Sequence, residues 1–549
     1  MECTVSVHNV YKLRPHFICG DIVIEKELLK NKEKLQKYID QGIMNEDFTP
    51  NFNVNRYTYE NSNYKTICGP FFPLRGLYYP GTGKDEYKVI AARMLEDRFP
   101  DVPGKAAQFR LNQTSIKRRL RVSIRSFAKH LNVTGSYCDI DTLYFKWLTQ
   151  PHPKKKLRVA VNKRLSSDTF CSLKSILYKG KDEELLALGK KRGIADLGPE
   201  RTQLTGAVAD DIKNGMSQPY VAGNYEYHYV MSPKAELLSS VFQKLDNIQY
   251  NKCYMPQQGD DSSISAWCSD GKAMFNLDFS KCDNSHTNST FDILLYMIKI
   301  AFGPTSPHLA CITLAISYLK EPITMRNKYN SKEKIKYEFA FARLYSGSII
   351  TTMINNVACF LLLMQLKMLV PNPAHVTKKQ FQDFIVESAR LIGFTLKCQV
   401  VNVLEEFQFL KHSCSYVNNV YVPWVNLGTY VKSFGLFNGD LPGKGYNTRA
   451  KAQKYISEIV ISRKNWGSHQ FNRSFNHLII EMKDSVIATD WIKYVDFDWG
   501  IEIPVDSLLA RYKITEAEYD LACAHISRST VYSVVYSDII NRIFQIDYG

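Results

Sequence analysis

A chain of 549 residues and 63.1 kDa is too long for one small domain and implies several subdomains sharing a sizeable core. Hydrophobic residues at 45% and charged residues at 23% exclude an intrinsically disordered chain, and the length excludes a lone binding module. The 70 Lys and Arg outnumber the 54 Asp and Glu to leave a net charge of +16, which favours a polyanionic partner, nucleic acid before a merely basic surface.

The 13 cysteines are scattered with no CxxC pair, so neither a zinc ribbon nor a disulfide framework is expected, and free thiols suit a reducing compartment. The first residues lack the apolar core of a signal peptide. The most apolar run, Val357 to Val370, is interrupted by Gln365 and Lys367 and is shorter than the ~20 residues of a membrane span. A soluble, cytosolic chain with no transmembrane segment is the expectation.

Residues 1–105 are mixed and carry no readable function. Between Arg110 and Lys129 lie seven Lys or Arg and no acid. Ile116, Leu120, Ile124, Phe127 and Leu131 recur there at helical spacing, with Arg118, Arg121, Arg125 and Lys129 on the opposite side. This is an amphipathic helix whose cationic face either binds phosphates or is simply solvated. Two more basic segments follow, one around Lys155 and Arg158, the other Gly189 to Thr202 with Lys190, Lys191, Arg192 and Arg201.

From Gln257 to Lys281, two alternating apolar runs flank Ser269-Asp270-Gly271-Lys272, a strong hairpin signal. With Asp270 and Gly271 as the turn residues, Asp278 pairs with Ser263 and Asp261 with Ser280. Gly259 predicts a second tight turn, so Asp260, Asp261 and Asp278 converge at the open end of one hairpin. Three such acids repel each other unless a cation intervenes, and an all-carboxylate donor set points to two Mg2+ or Mn2+ ions rather than zinc. A solvated acidic loop is the alternative. Asp283 follows Asp278 by five residues. Ser346-Gly347 precedes a helix on which Thr351 and Asn355 share a face, and a buried Asn355 needs partners, Asp283 being one candidate.

Together these segments resemble viral RNA-dependent RNA polymerases. Asp278 and Asp283 match the family's D-x4-D motif A, Ser346 to Asn355 its motif B, and Gly259-Asp260-Asp261 its GDD motif C. GDD normally follows motif B, whereas here it precedes motif A. That order is similar to the permuted C-A-B palm of permutotetraviruses and birnaviruses. The resemblance covers about residues 190 to 415.

The resemblance implies an α+β right hand with a permuted antiparallel-sheet palm: an N-terminal extension at 1–105, fingers at 106–224, palm at 225–420 with a fingers insertion at about 303–343, and thumb at 421–549. It implies catalytic and metal-binding roles for Asp260, Asp261 and Asp278. Asp283, Ser346, Gly347, Thr351 and Asn355 would bind ribose. Lys190, Lys191, Arg192 and Arg201 would bind the triphosphate, similar to motif F, and Arg118, Arg121, Arg125, Lys129, Lys155 and Arg158 would bind RNA. Lys397 resembles the general acid of motif D, with a solvated strand lysine as the alternative, and Glu406 to Lys411 resembles the primer-gripping strand of motif E. The implied partners are RNA template and nascent RNA, nucleoside triphosphates and other viral replication proteins in the host cytoplasm. A metal-dependent RNA nuclease and a catalytically silent RNA-binding assembly protein stay open as readings of the same residues.

Overall fold

The computed structural model describes residues 105–134, 199–231, 234–319, 347–433, 467–478, 501–529 and 537–548, with Leu344 and short strands elsewhere. Those strands are Asp21–Val23 (β1), Tyr64–Thr66 (β2), Cys171–Ser175 (β3) and Gly193–Asp196 (β4). Lys105–Arg119 and Arg121–Thr134 form two helices where one was expected. Main-chain bonds run on through Leu120, to which Ile124 N donates at 2.9 Å, so the pair keeps one apolar face. Ile116, Leu120, Ile124, Phe127 and Leu131 are all buried, and Phe127 stacks on Phe360 at 4.2 Å. Arg118, Arg121, Arg125 and Lys129 are exposed on the other side.

The central sheet follows: Tyr220–Ala222 (β5), Tyr225–Tyr229 (β6), Cys253–Gln258 (β7), Asp261–Cys268 (β8) and Gly271–Phe279 (β9). Ile323–Arg326 (β10) and Lys334–Tyr337 (β11) join β1, β3 and β4 in a separate five-stranded sheet of order β1-β11-β10-β3-β4. Leu396–Val400 (β12) completes the central sheet in the order β12-β9-β8-β7-β6-β5, antiparallel except between β6 and β7. Its side chains alternate between two cores, as the two-residue period of a strand requires. Phe275, Leu277 and Phe279 enter the main core under the helices Asn288–Phe302 and Thr351–Leu369. Met274 and Tyr254 enter a smaller core with Leu238, Val241 and Phe242 of the helix Ala235–Asp246. The fold class is α+β.

The Thr351–Leu369 helix has 19 residues and is long and apolar enough to cross a membrane, but 78% of its apolar window is buried inside the protein. It is the core helix of this fold. The helix Lys378–Leu391 is capped reciprocally by Thr377 and Gln380 and ended by Gly393 at φ 80°. Beyond it, His412–Val417 (β13) and Val420–Val425 (β14) form a hairpin. The primer-gripping strand expected at Glu406 to Lys411 is corrected here: Leu404–Glu406 is a 3-10 turn, and Leu410 and Lys411 take φ of 54° and 60°. Two left-handed residues in succession make a tight turn, so the strand starts only at His412. Leu436–Asn438 (β15) pairs with β2. A third core, with Trp424, Tyr430, Phe471, Tyr512 and Phe544, joins β14 to the C-terminal helices, including Glu516–Ser527.

Candidate active site

Strands β7, β8 and β9 run as two consecutive tight hairpins. The first turn is Gly259-Asp260, with Gln258 paired to Asp261 and Gly259 at φ 64°, a conformation glycine takes without steric cost. The second differs from the sequence expectation: Cys268 pairs with Gly271, so the loop is Ser269-Asp270. Tertiary bonds select it, since Ser269 N donates to Val376 O at 2.9 Å and Lys378 N donates to Asp270 Oδ1 at 2.8 Å. The register moves by two residues, which keeps every side chain on its expected face. Its consequence is that Asp261 stands directly opposite Asp278. Opposed residues of antiparallel strands have Cα atoms about 4.5–5.5 Å apart, and like charges so placed destabilise the sheet.

β12 extends this row on the other side of β9. Lys397 pairs with Asp278, so Asp261, Asp278 and Lys397 lie side by side on one face, with the Lys397 side chain exposed. Asp260 sits in the adjoining turn, exposed, while Asp261 and Asp278 are half-buried. Two buried thiols register how closely the acids gather. Burial first, then Asp260, Asp283 and Asp278 among others, push the Cys282 thiol well above its ordinary pKa. Burial with Asp260 and Asp261 does the same at Cys359.

One helix ties the acid-bearing segments together. On Thr351–Leu369, Asn355 Nδ2 donates to Asp283 Oδ1 at 3.0 Å, the partnership the spacing suggested. Asn356 Oδ1 accepts from Gln257 Nε2 at 2.6 Å and Gly259 N at 3.3 Å. The Cys359 thiol donates to Gly259 O at 3.7 Å, and Gln257 Nε2 reaches the same carbonyl at 2.7 Å. The Tyr227 hydroxyl lies 2.8 Å from Gln257 Oε1 and 3.0 Å from Asn356 O. Gln257, Asn355 and Asn356 are at most 3% exposed, so these bonds are made in a medium where losing one costs about 1–3 kcal/mol. The Gly-Asp turn and the short helix Cys282–Ser285 that carries Asp283 are thereby fixed to the same rigid element.

Among the described residues no group of three or more His, Cys, Asp or Glu side chains is closed into a metal cage. The donor chemistry nonetheless fits a hard divalent ion: Asp260, Asp261 and Asp278 offer only carboxylate oxygens, and the opposed pair has a charge for a cation to neutralise. Magnesium is commonly held by one or two carboxylates with the remaining positions left to water and substrate phosphate.

No family model matches the chain, and no curated protein matches it. Solved structures do. The likeness is to birnavirus polymerase structures. The chain is similar to the birnavirus VP1–VP3 complex, at 11% identity and a TM-score of 0.37, over 62% of this chain and 45% of that one. It is similar also to the RNA polymerase VP1 from Infectious Pancreatic Necrosis Virus, at 12% identity and a TM-score of 0.36, over 74% and 52%. The chain spans about half the length of these solved chains.

The structure thus brings together Asp260, Asp261, Asp278, Asp283, Asn355 and Lys397. Thr351 opens the helix one turn before Asn355, and Gly347 lies just ahead with φ 100°. Ser346, Lys155, Arg158, Lys190, Lys191 and Arg192 lie outside the described residues, and Arg201 is described only as part of the helix Pro199–Met216. Sequence reasoning missed Gln257, Asn356 and Gln113. Gln113 is fully buried and donates to Ser285 O at 2.8 Å and Gly393 O at 3.1 Å, docking the first helix onto the short helix that carries Asp283. A signal for Asn356 existed in the Asn-Asn pair interrupting an apolar helix. Gln113, inside a basic stretch, gave none.

Proposed function

We propose that this chain is an RNA-dependent RNA polymerase, performing template-directed nucleotidyl transfer. The observation that carries this reading is the direct pairing of Asp261 with Asp278, with Asp260 in the adjoining turn and the bonded Asp283–Asn355 pair close behind. Asp260, Asp261 and Asp278 would hold two Mg2+ or Mn2+ ions, which when bound activate a 3′-hydroxyl and neutralise charge on the departing pyrophosphate. Lys397, level with Asp278, would donate the proton to that pyrophosphate.

Asp283 and Asn355, with Thr351 on the same helical face, would bond the ribose 2′-hydroxyl. A site with buried polar groups committed to a hydroxyl rejects the substrate lacking it, because those groups are then left unpaired. This favours ribonucleotides and separates the proposal from a nuclease, which needs no ribose sensor. The exposed stripe Arg118, Arg121, Arg125 and Lys129 would contact RNA phosphates, its contribution weakening with salt. Lys190, Lys191, Arg192 and Arg201 would meet the triphosphate. Ser346 and Gly347 would border the ribose, and Lys155 and Arg158 would extend the RNA track. Other viral replication proteins and a host-cytoplasmic setting belong to the same proposal.

Template dependence is the test. Labelled UTP should be incorporated on poly(A) and not on poly(U), in Mg2+ and only with triphosphate present. RNA degradation without triphosphate would establish the nuclease instead, and no activity in either assay would favour an assembly protein.

A further inference from the structure

We propose that His286 is a positioning residue for ribose selection, acting through Asn355. The inference rests on the polymerase reading above and deepens it. His286 is 1% exposed, and its Nε2 lies 2.8 Å from Asn355 Oδ1. The amide of an asparagine has two ends of almost equal size, one accepting and one donating, and only its partners decide which way it faces. The amide nitrogen donates to the Asp283 carboxyl oxygen, and the amide oxygen therefore faces His286. That oxygen requires a donor, which places the proton of His286 on Nε2.

The remaining contacts hold the ring in this pose. Nδ1 lies 3.2 Å from Thr290 Oγ1, and the Phe394 ring stands edge-on at 5.2 Å. Gln113 grips the chain on both sides of His286, at Ser285 O and at the Thr287 hydroxyl. The Cys282 thiol, 3.5 Å from Asn355 Oδ1, is a second and weaker donor to the same oxygen. A strong N–H donor thus fixes the amide whose other end meets Asp283. Without it the amide turns over more readily, and Asp283 loses a bond made at 3.0 Å. Neither the D-x4-D spacing nor the motif B pattern includes this residue.

The experiment measures kcat/KM for a ribonucleotide and its 2′-deoxy counterpart on one template, with the full chain and five variants. His286→Phe keeps ring volume and removes the donor. Its ribo-to-deoxy ratio should fall about tenfold, the loss lying mainly in ribonucleotide KM, as expected when one hydrogen bond of roughly 1.4 kcal/mol is lost. His286→Gln, whose amide nitrogen can stand near the Nε2 position, should recover most of the ratio, whereas His286→Asn, with a shorter reach, should not. In an Asn355→Leu background, His286→Phe should lower the ratio no further, because the two residues act in series.

An unchanged ratio in His286→Phe overturns the proposal, as does equal behaviour of the Gln and Asn variants, and the latter comparison decides the matter if the Phe variant does not fold. A wild-type chain that makes no polymer would reject the polymerase reading itself. A wild type that polymerises and selects ribose, with a ratio indifferent to residue 286, would reject only this inference.

Discussion

Asp278 and Asp547 both sit within packed regions, yet the chain treats their charges in opposite ways. Asp547 is 3% exposed and fully engaged. Arg511 Nη2 meets Oδ1 at 2.6 Å, while Tyr512 OH and Gly428 N donate to Oδ2 at 2.9 and 2.7 Å. Arg511 in turn donates to the carbonyls of Glu405, Glu406 and Phe407, fastening the C-terminal helices to the segment that Asn276 of β9 also holds. Asp278 instead remains half-buried, with Asp261 directly opposite it on β8 and Lys397 opposite it on β12. A carboxylate answered on every side stabilises a fold. Acids set directly opposite each other carry a like charge that a bound cation can offset.

The largest effect expected from this contrast is on catalysis. Asp260→Ala should lower ribonucleotide incorporation by roughly a thousandfold or more, the scale of removing a central electrostatic group, while leaving cooperative unfolding intact. A smaller catalytic loss, about a hundredfold in kcat, is expected of Lys397→Leu, with partial recovery in Lys397→His if a proton donor is what the position supplies. Pre-steady-state incorporation would read both.

Asp547→Ala should act the other way round. It strands Arg511 in the interior and should cost about 3–5 kcal/mol of stability, read by urea unfolding, while the ribo-to-deoxy ratio of the folded fraction stays as in wild type. The C-terminal region also carries a pH dependence. Burial, helped by Arg473, lowers the His469 pKa from 6.5 to about 3. The unfolded chain binds a proton below pH 6.5 that the folded chain refuses, so stability falls as pH drops from 6.5 toward 3. About 2 kcal/mol should be lost at this residue between pH 7 and 5, and His469→Asn, which keeps a capping side chain for Asn472 N, should remove that part of the slope. The smallest effect returns to the acids: Asp278→Asn relieves like-charge opposition and should raise stability by at most about 1 kcal/mol. A clear loss of stability would mean that Asp278 is a structural residue like Asp547.

Much of this site was legible because its signals are local. The apolar alternation of β8 and β9, the Gly259 turn and the Thr351/Asn355 spacing each need only a few neighbouring residues to be read. The register was two residues off because the turn is chosen by Val376 and Lys378, roughly a hundred residues away in the chain. Asn356 and Gln257 escaped for the same reason: they meet each other 99 positions apart, and no periodicity encodes that. The Glu406 to Lys411 segment alternates like a strand, but nothing in that pattern announces two left-handed residues at Leu410 and Lys411.

The most direct measurement is single-turnover incorporation of a labelled ribonucleotide on a primed homopolymer in Mg2+, comparing wild type with Asp278→Asn at matched folded concentration. Extension by the wild type with a rate at least about a thousandfold lower in the variant is the predicted result. Equal rates in the two chains would contradict the claim that the opposed aspartates are the catalytic centre.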